Sequence, residues 1–199
     1  VLASVVVFVV LRLLPGDAAG ATLGVGTTTD QLDQLRSELG TDQPVVTQYV
    51  QWLGQVVRGD LGTSFVSRLP VADLITQKLP ITVPLSLSAF VLAVLVSVPL
   101  GVIAAVHRRG PVGVAVSAVS QLGVAVPVFW VGVLLVLVLA LQARWLPAGG
   151  FPRTGWDDPA AAVRSLVLPV VTVAIAMSAV MVRYVRSATL DVLDQDYLR

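Results

Sequence analysis

The sequence contains no cysteine, one histidine (His107), one lysine (Lys78) and few charged side chains of either sign, 13% of its 199 residues. Without cysteine there is no disulfide, no thiolate nucleophile and no cysteine-ligated metal. One histidine cannot supply the paired-histidine spacing of a hydrolytic zinc site. Thirteen basic against twelve acidic residues leave a net charge of +1, too even and too sparse for a nucleic-acid-binding surface. No Gly-x-x-x-x-Gly-Lys-Ser/Thr phosphate loop occurs, which excludes ATP hydrolysis by that route. A soluble domain is roughly 25% charged. A chain that is 56% hydrophobic, with a mean hydropathy of +0.87, is suited to a different solvent.

What is abundant is long uncharged sequence. Ile81 to Val106 is a run of 26 residues without a charge, enough to cross a bilayer core that needs about 20 helical residues. Pro111 to Gln142 is a second run, long enough to extend about 45 Å as one helix. That exceeds a bilayer, so the helix must tilt, kink or protrude. Ser165 to Val182, with 18 residues, is at the lower limit of a span. Val1 to Leu11 is apolar but short, with no basic leader or small-residue cleavage site. Residues 1–14 are therefore read as the cut end of a first transmembrane helix. The expectation is an all-α, polytopic membrane protein with spans at about 81–106, 111–142 and 165–182 and a helical extracytoplasmic segment at 15–80.

Orientation follows from the basic residues, because short cytoplasmic loops retain Lys and Arg. The turn His107-Arg108-Arg109 then faces the cytoplasm. The long segment Pro15 to Pro80, with four basic and seven acidic residues, lies outside. The chain returns inward at Arg183 and Arg186, which are three apart and so share one helical face. Arg108, Arg109, Arg183 and Arg186 are expected as anchors at the membrane interface. Trp145 and Trp156 flank the outer end of the third span, either as interfacial anchors or as ordinary loop cover.

Within the outer segment, Thr28 and Gln31 have capping-box spacing, Leu32, Leu35 and Leu39 share a face, and Gly40 offers a stop. A second helix is expected near Pro44, with Val46, Tyr49, Val50, Leu53 and Val57 in helical register. A third is expected from Pro70 to Leu79, ending at Pro80. Such small apolar faces need a partner, either the membrane surface or neighbouring spans.

The three complete spans contain no Asp, Glu, Lys, Arg or His. Bilayer proteolysis and proton relays use intramembrane ionisable groups, so an enzyme or a proton-coupled carrier is disfavoured. A carrier that binds sodium through backbone carbonyls is less firmly excluded. The remaining polarity is modest: Ser86, Ser88, Ser97, Ser117, Ser120, Gln121, Thr172 and Ser178 can hydrogen-bond between helices. An unpaired amide in hydrocarbon costs several kcal/mol, so Gln121 faces either protein packing or a polar pathway. Pro127 lies near the middle of the second run between Gly123 and Gly132, where a missing N–H permits a kink.

Six segments, in order, resemble the membrane subunit of bacterial binding-protein-dependent ABC importers of the dipeptide/oligopeptide/nickel permease family. They are Leu-Arg-Leu-Leu-Pro-Gly-Asp at 11–17, Gly-Asp-Leu-Gly-Thr-Ser-Phe at 59–65, Leu-Pro-Ile-Thr at 79–82, Val-Pro-Leu-Gly-Val-Ile-Ala-Ala at 98–105, Pro-Val-Phe-Trp-Val-Gly at 127–132 and Leu-Pro-Ala-Gly-Gly at 146–150. Arg183-Tyr184-Val185-Arg186-Ser187 and Gln195-Asp196-Tyr197-Leu198-Arg199 resemble the stretch that leads into the cytoplasmic coupling segment.

The resemblance implies a type I importer permease of six helices, four of them present here, with the chain ending before the coupling helix. It implies a second permease subunit, two ATP-binding-cassette ATPases that use the ATP, and an extracytoplasmic substrate-binding protein, in a bacterial inner membrane. No cofactor or metal is expected on this chain. Gln121, Pro127 and Trp130 are the substrate-pathway candidates. Asp196, Tyr197 and Arg199 reach the edge of the ATPase contact or form a plain helix end. The rival readings are an ion-coupled carrier or channel and a non-transporting scaffold.

Overall fold

The computed structural model describes residues 2–13, 43–64 and 67–193. In chain order its helices are α1 (Leu2–Leu13), α2 (Val45–Val57), α3 (Val71–Val106), α4 (Pro111–Ala125), α5 (Val128–Leu135), a π-helix (Val136–Gln142) and α6 (Pro159–Leu193). Among the described residues no strand forms beyond an isolated bridge between Thr63 and Pro70. Two compact units result, residues 1–80 and 81–199. The expected helix around Thr28 to Gly40 lies outside the described residues.

In the first unit, α2 begins just after Pro44, whose carbonyl accepts the Gln48 N–H at 3.1 Å. Its Tyr49 and Trp52 rings meet Phe8 of α1, with centroids 5.4 and 5.6 Å apart, and the Ser4 and Tyr49 hydroxyls lie 2.9 Å apart. Past Arg58, Gly59 turns the chain at φ +84°, and the Asp60 carboxylate accepts the Gly62 N–H at 2.9 Å. The Pro70 to Leu79 segment does not form a separate helix. Its helical residues open α3, which continues without interruption through Pro80, Pro84 and Pro99. Pro80 therefore does not end a helix: it is the tenth residue of α3, and such a long apolar helix tolerates it as it tolerates Pro84 and Pro99, each forfeiting one backbone N–H.

The second unit is built on close backbone approach rather than on large side chains. Ala89, Ala93, Ser97, Gly101 and Ala105 are spaced by four along α3 and all are buried, while Leu87, Leu95 and Val91 on other faces are exposed. Lipid is as apolar as leucine, so a membrane helix gains little by hiding Leu from it; small residues let backbones touch instead. The Ser178 hydroxyl of α6 donates to the Ala93 carbonyl at 3.4 Å. A Cβ on Gly101 would lie 2.6 Å from Val185 Cβ. Both contacts advance in the same direction, so α3 and α6 run parallel. A Cβ on Gly123 of α4 would meet Ala179 at 2.8 Å, and one on Gly132 of α5 would meet Thr172 at 3.3 Å. Three glycines on three elements thus rest on one helix, α6.

The span expected at 165–182 is the interior of α6, whose 35 residues would extend about 52 Å. The long run at 111–142 is not one helix. Two limbs, Pro111–Ala125 and Val128–Gln142, are bent by 99°.

Candidate functional site

The bend is made by two residues. A proline disfavours the helical region for the residue before it, and Val126 adopts φ −81°, ψ 127°. Pro127 itself has φ −60°, ψ 132° and stands outside the helix as its N-cap. Its carbonyl accepts the Trp130 and Val131 N–H groups at 3.0 and 3.3 Å, and the Val126 N–H still donates to Leu122 at 3.0 Å. Pro127 therefore breaks the helix between two limbs instead of kinking a continuous one. Farther on, the Ala143 N–H reaches the Val138 carbonyl at 2.9 Å, the wide i−5 bond of a π-helix. Arg144 ends it at φ +57°.

Gln121, Pro127 and Trp130 are all exposed on the chain. None of the three cavities described next brings them together. Trp130 lines a shallow apolar groove of about 330 Å³ with Leu134 and Val138. A larger cavity, about 450 Å³, lies where Ile81 and Leu85 face the Pro147 to Phe151 loop, Pro169 and Thr172. A third, about 350 Å³, lies among α3, α4 and α6 beside Leu92, Ser120 and Ala179. The interior hydroxyls are occupied by their own helices: Ser117 donates to Gly113 at 2.7 Å, Ser120 to Val116 at 2.9 Å and Thr172 to Leu168 at 2.7 Å. They leave Gln121 as the one side-chain amide between Pro111 and Ala125.

Parallel α3 and α6 bring the basic residues to one end of the unit. Arg108 and Arg109 follow α3 in a turn closed by the Gly110 N–H on the His107 carbonyl at 2.8 Å, and the His107 Nδ1 lies 3.1 Å from the Ile103 carbonyl. Gly113 seats the start of α4 directly over the His107 carbonyl. Arg183 and Arg186 are not equivalent members of one face. Arg183 is exposed, its guanidinium 5.6 Å from the Tyr184 ring centroid. Arg186 turns inward beyond Val182, and its Nε is buried without a hydrogen-bond partner. Asp196, Tyr197 and Arg199 lie outside the described residues. Among those described, no group of three His, Cys, Asp or Glu is placed to hold a metal.

Sequence reasoning missed the three glycine seats and the loop cavity. A signal for the Gly101 seat was present, a small residue at every fourth position from Ala89 to Ala105, but none marked Gly123 or Gly132 as seats. No local signal marks the loop cavity, because it joins positions over 80 residues apart.

The sequence profile of the binding-protein-dependent transport system inner membrane components matches residues 97–199. The profile of the N-terminal part of such components matches residues 1–88. The chain belongs to this family. It is 37% identical over 196 residues, 98% of its length, to a Brucella suis protein named as a peptide transport system permease. It is 37% identical over 193 residues, 97% of its length, to a Sinorhizobium fredii protein named as a peptide ABC transporter permease. An oligopeptide transport system permease protein of Bacillus subtilis is 35% identical over 194 residues, 96% of this chain. The chain spans 62%, 61% and 61% of these three relatives respectively. It is thus an inner-membrane component with the all-α architecture of a type I importer permease. Among the described residues two helices, α3 and α6, are long and apolar enough to cross a membrane, or three spans if the bent pair counts as one.

Proposed function

We propose that this permease forms part of the translocation pathway for peptides or similar small solutes in an ATP-driven importer. In this reading it pairs with a second permease, two ATP-binding-cassette subunits dock on its cytoplasmic side and use the ATP, and an extracytoplasmic binding protein delivers the solute. The chain binds no cofactor and makes or breaks no covalent bond. The observation that carries the reading is the match of both family profiles, which together account for nearly the whole chain. The broken limb adds physical support. The 99° break lies among the uncharged Gln121, Pro127 and Trp130, each exposed on the chain, and irregular backbone at membrane depth is tolerated where it meets protein, such as a second permease, or water rather than lipid.

The test is reconstitution of the full-length complex in vesicles with its ATPases and binding protein. Peptide uptake that requires both ATP and the binding protein is the expected result. Uptake driven by an ion gradient without ATP points to a secondary carrier, and absence of any ATPase from the purified complex points to a scaffold. Either outcome overturns the reading.

A further inference from the structure

Helix α2 has two apolar faces and a use for only one of them within the first unit. At 100° per residue, Tyr49 and Trp52 point to one side, and Val46, Val50, Leu53 and Val57 fall within an adjacent arc roughly 60° wide. Thr47, Gln51 and Gln55 occupy the opposite side. The aromatic face is seated on Phe8 of α1. The aliphatic arc is bare: Val46 is 74% exposed, Val50 61% and Val57 79%.

We infer that this arc is a membrane-binding surface, and that α2 lies at the boundary between headgroups and acyl chains with Val46, Val50, Leu53 and Val57 pointing into the hydrocarbon. The inference rests on the reading of the chain as a membrane permease. Three observations select lipid over a protein partner. First, α1, on which α2 is seated through Phe8 and Ser4, is read as the end of a transmembrane helix and itself exposes Leu2, Val6, Val7 and Val10. Second, the junction is closed by Tyr49 and Trp52, whose rings carry one polar tip each and are favoured at headgroup level. Third, the arc offers only smooth aliphatic groups, whereas the buried centre of a protein interface is enriched in aromatic and arginine anchors. From Val45 to Val57 there is no charge at all. The attachment is therefore by apolar burial, about 5–10 Å below the headgroups, and does not depend on anionic lipid.

The native chain has no cysteine, so single-cysteine variants of the full-length permease in its reconstituted complex can carry an environment-sensitive fluorophore. Vesicles contain phosphatidylcholine with a nitroxide either near the acyl carbonyl or near the chain end, and iodide probes water access. Val50→Cys and Leu53→Cys are expected to be quenched about twofold more strongly by the shallow nitroxide than by the deep one, as fits an interfacial depth. Gln51→Cys is expected to respond to iodide alone. Adding anionic phospholipid should leave these ratios unchanged. Leu95→Cys, on the exposed face of α3, reports the membrane reading itself: if the deep nitroxide does not reach it, that reading fails. If Leu95→Cys is quenched while both α2 positions respond to iodide, α2 is solvated. If neither quencher reaches them, a protein covers the arc. Both results overturn the inference.

Discussion

Gly101 is where α3 and α6 come closest, and the geometry ranks the glycines of the second unit by how much a methyl group would disturb. An added Cβ at Gly101 lies 2.6 Å from Val185 Cβ and 3.1 Å from the Val182 carbonyl, neither of them the far end of a flexible side chain. At Gly123 the nearest atom is Ala179 Cβ at 2.8 Å, and at Gly132 it is Thr172 Cγ2 at 3.3 Å. Gly149 meets nothing within 4 Å. Overpacking a tight contact typically costs about 1–3 kcal/mol, so Gly101→Ala and Gly123→Ala are expected to lower the thermal stability of the purified complex clearly. Gly132→Ala should lower it less, and Gly149→Ala should match the parent protein. Thermal unfolding in detergent, followed by loss of the monodisperse chromatographic peak, checks the order. A Gly149→Ala variant as unstable as Gly101→Ala would contradict it. Gly123 and Gly132 were visible in the sequence only as punctuation: they frame Pro127, yet their partners Ala179 and Thr172 lie over 35 residues away.

At the scale of the element, the 111–142 segment shows two causes acting together. Pro127 removes one N–H and moves Val126 out of the helical region, which permits a break. The angle is held elsewhere, by Gly123 on Ala179 and Gly132 on Thr172, both seats belonging to the same helix. Restoring one backbone hydrogen bond is worth about 0.5–1.5 kcal/mol, set against displacing a whole limb from α6. Pro127→Ala is therefore expected to keep the bend, and the further change Gly132→Leu to release it. Spin labels at the exposed Val114 and Val138 distinguish the two shapes: a straight helix separates these backbones by about 36 Å, and a right-angled one by roughly 23 Å. A distance near the longer value in Pro127→Ala alone would assign the bend to the proline. The excess length of this run over a bilayer was legible from the sequence, as was the site of the break. The right angle was not, because it depends on where α6 stands.

At the largest scale the structure defines, the second unit is organised around α6, which touches α3, α4 and α5 and runs unbroken from Pro159 to Leu193. It passes the basic end of the unit at Arg183 and Arg186 and continues beyond, so a displacement applied near Leu193 reaches Val185, Ala179 and Thr172 through one rigid rod. A flexible joint in that rod absorbs motion that a stiff one transmits. In the proposed importer, insertion of two glycines after Ser187 is expected to leave the ATPases bound and hydrolysing while the uptake per ATP falls. Parallel measurement of ATP turnover and peptide uptake in the same vesicles provides the check, and an unchanged ratio would reject α6 as the transmitting element.

The sequence by itself determined the solvent, the class and the family of this chain: the scarcity of charge, runs too long for a soluble core and six motifs in order leave a helical membrane protein of the binding-protein-dependent transport family. Length and hydropathy are sums over neighbouring residues, and motifs are read in place, so neither needs the third dimension. The tertiary structure alone decided that the proposed outer helix at Pro70 to Leu79 is the beginning of α3 and that Arg183 and Arg186 differ in exposure. It also decided that α2 uses its aromatic face on α1, with its aliphatic arc exposed. Each of these depends on which backbone approaches which. In a membrane protein that choice is made by small residues and their distant partners, and hydropathy does not distinguish an apolar face turned to lipid from one turned to protein.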